Sequence, residues 1–205
     1  MKPKQPIEIG ELIGQAKSGD PDALGCLFDV YQSYVRLVAR IEFDLRLAPK
    51  IAPSDIAQET FLQAKRSFPH FLGSTEGELI AWLRSILASQ LAANVRRYQA
   101  QRRDIRLEQH AKHSIDQSAA KLEYLFADRG RTPSESAIRR ERSVILADAL
   151  AKLSEEYREI IVMRHLQGQS FSDIAELGDR TIDSVKGVWR RALAKLKVII
   201  DEESI

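Results

Sequence analysis

Asp55 and Glu59 stand at i and i+4 with Gln58 beside them, so a helix through this stretch displays two carboxylates and an amide on one face. Paired carboxylates can serve as general acid and base, but that work needs a cleft and a perturbed environment, and no nucleophile motif, phosphate loop or metal-ligand cluster lies near them in sequence. A solvated acidic face, or a docking surface that meets a partner's arginines, uses the same residues. A second group is basic. Between Arg84 and Arg106 the charged residues are Arg84, Arg96, Arg97, Arg102, Arg103 and Arg106 against one acid, Asp104. Arginines complement the dipole at a helix C-terminus, yet this cluster exceeds that need, and with Tyr98 and the upstream Trp82 it suits a surface that holds phosphates while rings receive unstacked bases.

The third group lies in 169–197. Ser170 precedes the apolar-periodic Phe171, Ile174 and Ala175, with Asp173 three residues on, which is the capping-box pattern. Gly178 and Asp179 break that helix. From about Thr181, Ile182, Val185, Trp189, Ala192, Leu193 and Leu196 form one stripe, and Lys186, Arg190, Arg191, Lys195 and Lys197 turn away from it. A short helix, a turn and a basic amphipathic helix fit a helix-turn-helix DNA reader or, equally, a helical hairpin with a solvated basic face. His110 and His113 are half of a zinc site at most, and His70 and His165 carry no ligand pattern. No G-x-S-x-G, P-loop or dinucleotide fingerprint is present, so we expect no catalytic residue, no metal and no cofactor.

These groups need helices to position them. Helical spacing predicts a short helix over 9–17, then a long one opened by Asp20 as N-cap and Pro21 as first residue, with Leu24, Leu27, Phe28, Tyr31, Tyr34, Val35, Leu37, Val38 and Ile41 on a wide buried face. Cys26, in that pattern, reads as a small core residue. Pro53 and Ser54 open the acidic helix, which ends before Pro69. A loop, 71–77, leads to a helix over 79–98 whose buried side is Leu79, Trp82, Leu83, Ile86, Leu87 and Leu91. From 104 to 131 the periodicity weakens, which predicts a linker with room for local helix around Leu122 to Phe126. Thr132-Pro133-Ser134-Glu135 caps a helix to about Leu153, and Ser154 starts another whose Tyr157, Ile160, Ile161 and Leu166 can pack on Phe171 and Ile174. No strand-period segment is longer than a few residues.

At 205 residues the chain can hold one or two small domains. Its net charge of +2 says little about nucleic acid; the placement of the charges says more. One cysteine excludes an intrachain disulfide, and the chain carries no signal-peptide core and no apolar run long enough for a bilayer, so a soluble cytoplasmic protein without membrane insertion is expected.

Three motifs in order, Asp55-Ile-Ala-Gln58-Glu59-Thr-Phe61, Phe71-x-Gly73 followed by Trp82-Leu83-x-x-Ile86, and the last helical pair with Val185-Lys186 and Arg191-Ala192, resemble the bacterial sigma-70 family of RNA polymerase sigma factors. Size and two-part layout look like its extracytoplasmic-function subfamily, and the resemblance covers nearly the whole chain. It implies an all-α fold of two small helical domains: a region 2-like domain at 1–103, a linker at 104–131 and a region 4-like helix-turn-helix domain at 132–205. It further implies docking on the core RNA polymerase through Asp55, Gln58, Glu59 and Phe61, and downstream promoter recognition with capture of an unpaired base through Phe71, Gly73, Ser74, Thr75, Arg84, Arg96 and Arg97. Upstream promoter DNA would be read by Arg180, Thr181, Ser184, Lys186, Gly187, Arg190 and Arg191. An anti-sigma factor is a further partner of this class.

This chain departs from the family pattern in places. Ser89 and Ala93 stand where the family carries Asn and Asp, with Asn94 adjacent. Gly178 comes one position early, which leaves Asp179 at the turn position, and Asp tolerates a left-handed backbone. Val188 stands where a basic residue is common and fits the core instead. The alternative function is a stand-alone helix-turn-helix regulator that binds duplex DNA without polymerase; a third, an enzyme using Asp55 and Glu59, lacks supporting motifs.

Overall fold

The computed structural model describes residues 8–42, 52–99, 105–127 and 136–203, all helices, turns and short connections. The chain divides into two compact units, Met1–Asp116 and Gln117–Ile205.

In the first unit α1 (Ile9–Lys17) packs on α2 (Pro21–Glu42), and α2 packs on α3 (Pro53–Ser67) and α4 (Glu76–Gln99). Asp20 caps α2 as its chemistry predicts, accepting the amides of Asp22 and Ala23 at 2.9 and 3.3 Å. One stripe of α2, Ala23, Leu27, Tyr31, Tyr34, Val35 and Val38, is fully buried. Cys26 and Val30 lie at the edge of that stripe in the first half of α2 and are exposed, whereas Leu37, on the same side a few turns later, is buried; the expectation of a core thiol is corrected, because that edge is covered only towards the end of the helix. Pro53, not Ser54, is the first residue of α3, and a tight single turn (Phe68–His70) contains Pro69. α4 starts earlier than its apolar pattern suggests, because Thr75 and Glu78 form a reciprocal cap ahead of it.

The segment expected to be a linker holds a 23-residue helix, α5 (Ile105–Ala127). Among its described side chains, 109–121, the buried ones are Ile115, Ser118 and Ala119, two of them small, so a hydrophobicity period has little to register over that stretch. The boundary between the two units falls inside this helix.

The second unit contains α6 (Ser136–Ala151), α7 (Glu155–Ile161), α8 (Phe171–Leu177) and α9 (Ile182–Glu203), with α6, α7 and α8 all packed on α9. The capping sequence expected at 132–135 lies outside the described residues. Ser154 caps α7, its side chain accepting the Tyr157 amide. Beyond Ile161 the helix widens over Val162–Leu166: the Gln167 amide reaches back five residues to the Val162 carbonyl at 2.9 Å, and Gln169 reaches Met163 at 2.9 Å. Such a widened turn rotates the residues after it relative to those before, which aims Leu166 inward and His165 at α9.

Candidate nucleic-acid interface

In the first unit three rings, Phe68, Phe71 and Trp82, pack mutually with centroids 5.0–5.9 Å apart. They form the floor beneath the 71–75 loop. Gly73 is held between the Phe71 ring and Glu78: a Cβ there would lie 2.5 Å from the ring edge and 2.7 Å from the Glu78 Cβ, closer than atoms approach, so the loop's path requires glycine for space rather than for torsion. Glu78 then staples the loop to α4. Its carboxylate accepts the Ser74 amide at 2.8 Å, the Thr75 amide at 3.0 Å and the Thr75 hydroxyl at 2.8 Å. The Ser74 amide, then the Thr75 hydroxyl and amide, hold the Glu78 pKa below its ordinary value, with Lys17 adding a smaller electrostatic contribution. From α1, Lys17 Nζ donates to the Leu72 carbonyl at 3.1 Å. Leu72 itself is 92% exposed at the loop apex, an apolar side chain in water on a fixed backbone.

The arginines expected beside this loop differ in situation. Arg84 is half-buried: Nε donates to the Tyr34 hydroxyl at 2.7 Å, the guanidinium lies over the Tyr34 ring, and one Nη stands 3.5 Å from Asp116 of α5. Its charge is engaged within the protein. Arg96 is half-buried on the last turns of α4, and the Arg97 side chain, with Arg102, Arg103 and Arg106, lies outside the described side chains.

On α3, Asp55 and Gln58 are exposed, and Glu59 is half-buried because Asn94 reaches across from α4, its Nδ2 donating to Glu59 Oε2 at 3.2 Å and to the Gln90 carbonyl at 2.9 Å. Asn94 is 5% exposed, a buried amide whose donors are both used. Phe61 rests against Phe28 at 5.3 Å, and Leu62 beside it is exposed, so the acidic face borders an apolar one.

In the second unit the expected helix-turn-helix is present. Ser170 and Asp173 form a complete capping box, amide to side chain at 2.9 and 3.1 Å in the two directions, which holds the Asp173 pKa below its ordinary value. Gly178 closes α8 with φ −98°, and Asp179 takes the left-handed position at φ +49°. The Arg180 amide then donates to the Ala175 carbonyl at 2.9 Å, and its guanidinium pairs with Glu156 at 2.7 Å. Thr181 caps α9, its hydroxyl accepting the Ser184 amide at 3.2 Å.

Trp189 sets the roll of α9. Its indole N–H donates to His165 Nε2 at 3.0 Å, its ring stacks on His165, and Phe171 meets it edge-on at 5.3 Å. Arg164 covers the Phe171 ring at 4.8 Å while donating to the Gln169 carbonyl. Val185, Val188, Ala192 and Leu196 face inward. With that face fixed, Ser184, Arg190 and Arg191 are exposed and Lys186 is half-exposed. Gly187 leaves room for Arg191, whose Nη1 would lie 3.5 Å from a Cβ at that position. Val188, 4% exposed, is a core residue, and Ile182, expected on the inner stripe, is 43% exposed. Lys17, Glu78, Asn94, Glu156 and the His165–Trp189 pair were missed by sequence reasoning, since each acts on a partner that no short motif links to it; only the Thr75-x-x-Glu78 spacing carried a readable signal.

No group of three or more His, Cys, Asp or Glu that could hold a metal ion occurs among the described residues, and none of their helices is long and apolar enough to cross a membrane. The described residues are helical, with an exposed basic helix after a tight turn in one unit and an aromatic-floored loop pinned by Glu78 in the other, surfaces of the kind a nucleic-acid reader presents.

The family described as Sigma-70, region 4 matches residues 143–196. The chain is 25% identical to the ECF RNA polymerase sigma factor BldN of Streptomyces coelicolor over 95% of its own length and 66% of that protein's. It is 28% identical to the ECF RNA polymerase sigma-E factor of Haemophilus influenzae over 88% and 89%, and 25% identical to SigW of Bacillus subtilis over 87% and 89%. A solved structure, CnrH in complex with the cytosolic domain of CnrY, aligns over 94% of this chain and 97% of that one at 24% identity and a TM-score of 0.35, too loose a superposition to bear on the arrangement of parts. Residues 143–196 thus match the sigma-70 region 4 family, and the chain is similar over most of its length to ECF RNA polymerase sigma factors.

Proposed function

We infer that the chain is a sigma factor that binds core RNA polymerase and directs it to particular promoters. The observation that carries this is α9: Trp189 and the Val185–Leu196 stripe fix one face inward and leave Ser184, Lys186, Arg190 and Arg191 on the other, the arrangement a major-groove reader needs. Lys and Arg there can bond guanine or phosphate. Arg180 and Thr181 serve first as an ion pair to Glu156 and as a cap, so their part in DNA binding is to set where α9 begins.

The downstream element falls to the 71–75 loop. A base must leave the stack before a loop can receive it, at a cost of a few kcal/mol that the protein's contacts offset. A loop held in place beforehand by Glu78 and by its aromatic floor loses little entropy on binding, which supports that use. The engagement of Arg84 with Tyr34 and Asp116 favours a supporting role for that side chain over direct phosphate contact.

Asp55, Gln58, Glu59 and Phe61 supply the polymerase-docking face: an exposed and a half-buried carboxylate bordered by apolar surface match a basic, partly apolar partner. The protein acts in the cytoplasm, where its polymerase is, and no turnover of its own is assigned to it. Capture by an anti-sigma factor belongs to the same reading. Run-off transcription with purified core polymerase on a genomic fragment library tests it: discrete transcripts that require the chain are expected, and specific duplex binding without any polymerase-dependent transcript would instead identify a stand-alone regulator.

A further inference from the structure

We propose that Lys17 is a positioning residue of the downstream-element site, one that helps set which base the loop accepts; this rests on the reading of 71–75 as the loop that receives an unpaired promoter base. Lys17 is the last residue of α1 and lies 55 positions from Leu72 in sequence. Its ammonium makes two contacts with the loop. Nζ donates to the Leu72 carbonyl at 3.1 Å and stands 5.5 Å from the centre of the Phe71 ring.

The loop's two ends are fixed by other means, Phe71 by the rings of Phe68 and Trp82, and Ser74 and Thr75 by Glu78. The apex lies between them. The Leu72 side chain is 92% exposed and so gains almost nothing from packing, and Gly73 has no side chain to anchor. The backbone carbonyl of Leu72 is therefore the group through which the apex is held, and Lys17 holds it. Turning that peptide moves the exposed Leu72 side chain relative to the aromatic floor, which changes the space offered to a base.

An exposed lysine beside a DNA-reading loop has a competing use as a phosphate ligand. The two uses differ in what they change. Loss of a phosphate contact weakens all sequences alike and reduces the salt dependence of binding, whereas loss of a brace alters base preference and leaves the salt dependence as it was. An ammonium already seated on a carbonyl and near a ring face favours the brace.

The test uses holoenzyme assembled from the full chain and core polymerase, with fork-junction promoter DNA carrying 2-aminopurine in the downstream element and a set of templates substituted at that base. Lys17→Met is expected to keep core binding and the salt slope, to slow the fluorescence rise that reports base capture by about three- to tenfold, the scale of one exposed charged contact, and to reduce the discrimination among templates. Lys17→Arg is expected to restore most of both, since a guanidinium can donate to the carbonyl and lie on the Phe71 ring. A uniform loss with a salt slope reduced by about one overturns the proposal in favour of phosphate binding. An unaffected Lys17→Met, with Leu72→Ala and Gly73→Val changing the preference, refutes the role of Lys17 and leaves the loop reading standing. No change of preference in any of the three refutes the loop reading itself, and the proposal with it.

Discussion

Asp179 stands at the one described non-glycine position with a left-handed backbone, φ +49°, in the turn that aims α9. A left-handed conformation costs an L-residue about 1–2 kcal/mol, less for Asp, whose short polar side chain bonds locally. Asp179→Gly removes that strain but adds about 0.4–1 kcal/mol of unfolded-chain entropy, so a melting temperature close to the parent's is expected. Asp179→Val keeps the strain and adds β-branching, and calorimetry is expected to show the second unit melting about 5–10 °C lower. Glu78 gives a second residue-scale prediction, with pH as the variable. Its folded pKa lies below the ordinary 4.5, so its contribution to the loop is complete above 4.5 and is lost as pH falls through the lower folded value. Exchange protection of the Ser74 and Thr75 amides is expected to hold from neutral pH to about 5 and to fail in stronger acid, whereas Glu78→Gln is expected to show weak protection throughout.

At the scale of elements, what could be read from sequence was what local chemistry decides. Asp20, Ser154 and Ser170 cap their helices through groups two or three residues away, so each cap is visible in a short window. The left-handed turn residue was placed by the family pattern, with Asp tolerant of that backbone. α5 was not legible: its inward positions among the described side chains are Ile115, Ser118 and Ala119, two of them small. Nor was the widened turn at Val162–Leu166, whose reward is the His165–Trp189 contact 24 positions on. The site divides in the same way, since the motif residues on α3, the 71–75 loop and α9 were named from sequence while the groups that hold them, Lys17, Asn94 and His165, act over separations of 55, 35 and 24 residues. The two faces of α9 follow from this packing and are separable by mutation. Val188→Ala removes buried methyl groups and is expected to cost about 1–3 kcal/mol in chemical denaturation, whereas Arg190→Ala, on the exposed face, is expected to stay within about 0.5 kcal/mol. Equal losses would mean that the roll of the helix had been assigned wrongly.

For the whole molecule, two compact units carrying different surfaces imply functions that can be lost one at a time. Linked contacts reinforce one another through effective concentration, so on the proposed assignment weakening one grip on a promoter reduces the total affinity without touching the proposed docking face. Lys186→Ala with Arg190→Ala is expected to leave core binding unchanged in fluorescence titration and to lower promoter-specific transcription by about 10- to 100-fold, the scale of one or two lost base or phosphate contacts. The salt slope of holoenzyme binding to promoter is expected to fall by about one for each phosphate contact removed. Asp55→Arg with Glu59→Arg should do the reverse. Reversed charges on the proposed docking face cost several kcal/mol against a basic partner, so core binding is expected to fall more than tenfold, and Glu59 additionally gives up its bond from Asn94. Asn94→Ala separates those two causes: it leaves both acidic charges in place while releasing the Glu59 side chain and a bond to the Gln90 carbonyl within α4, so a smaller loss of core affinity with full charge dependence retained is expected. If the α3 variants bound core polymerase normally while the α9 variants lost it, the two surfaces would have been assigned to the wrong partners.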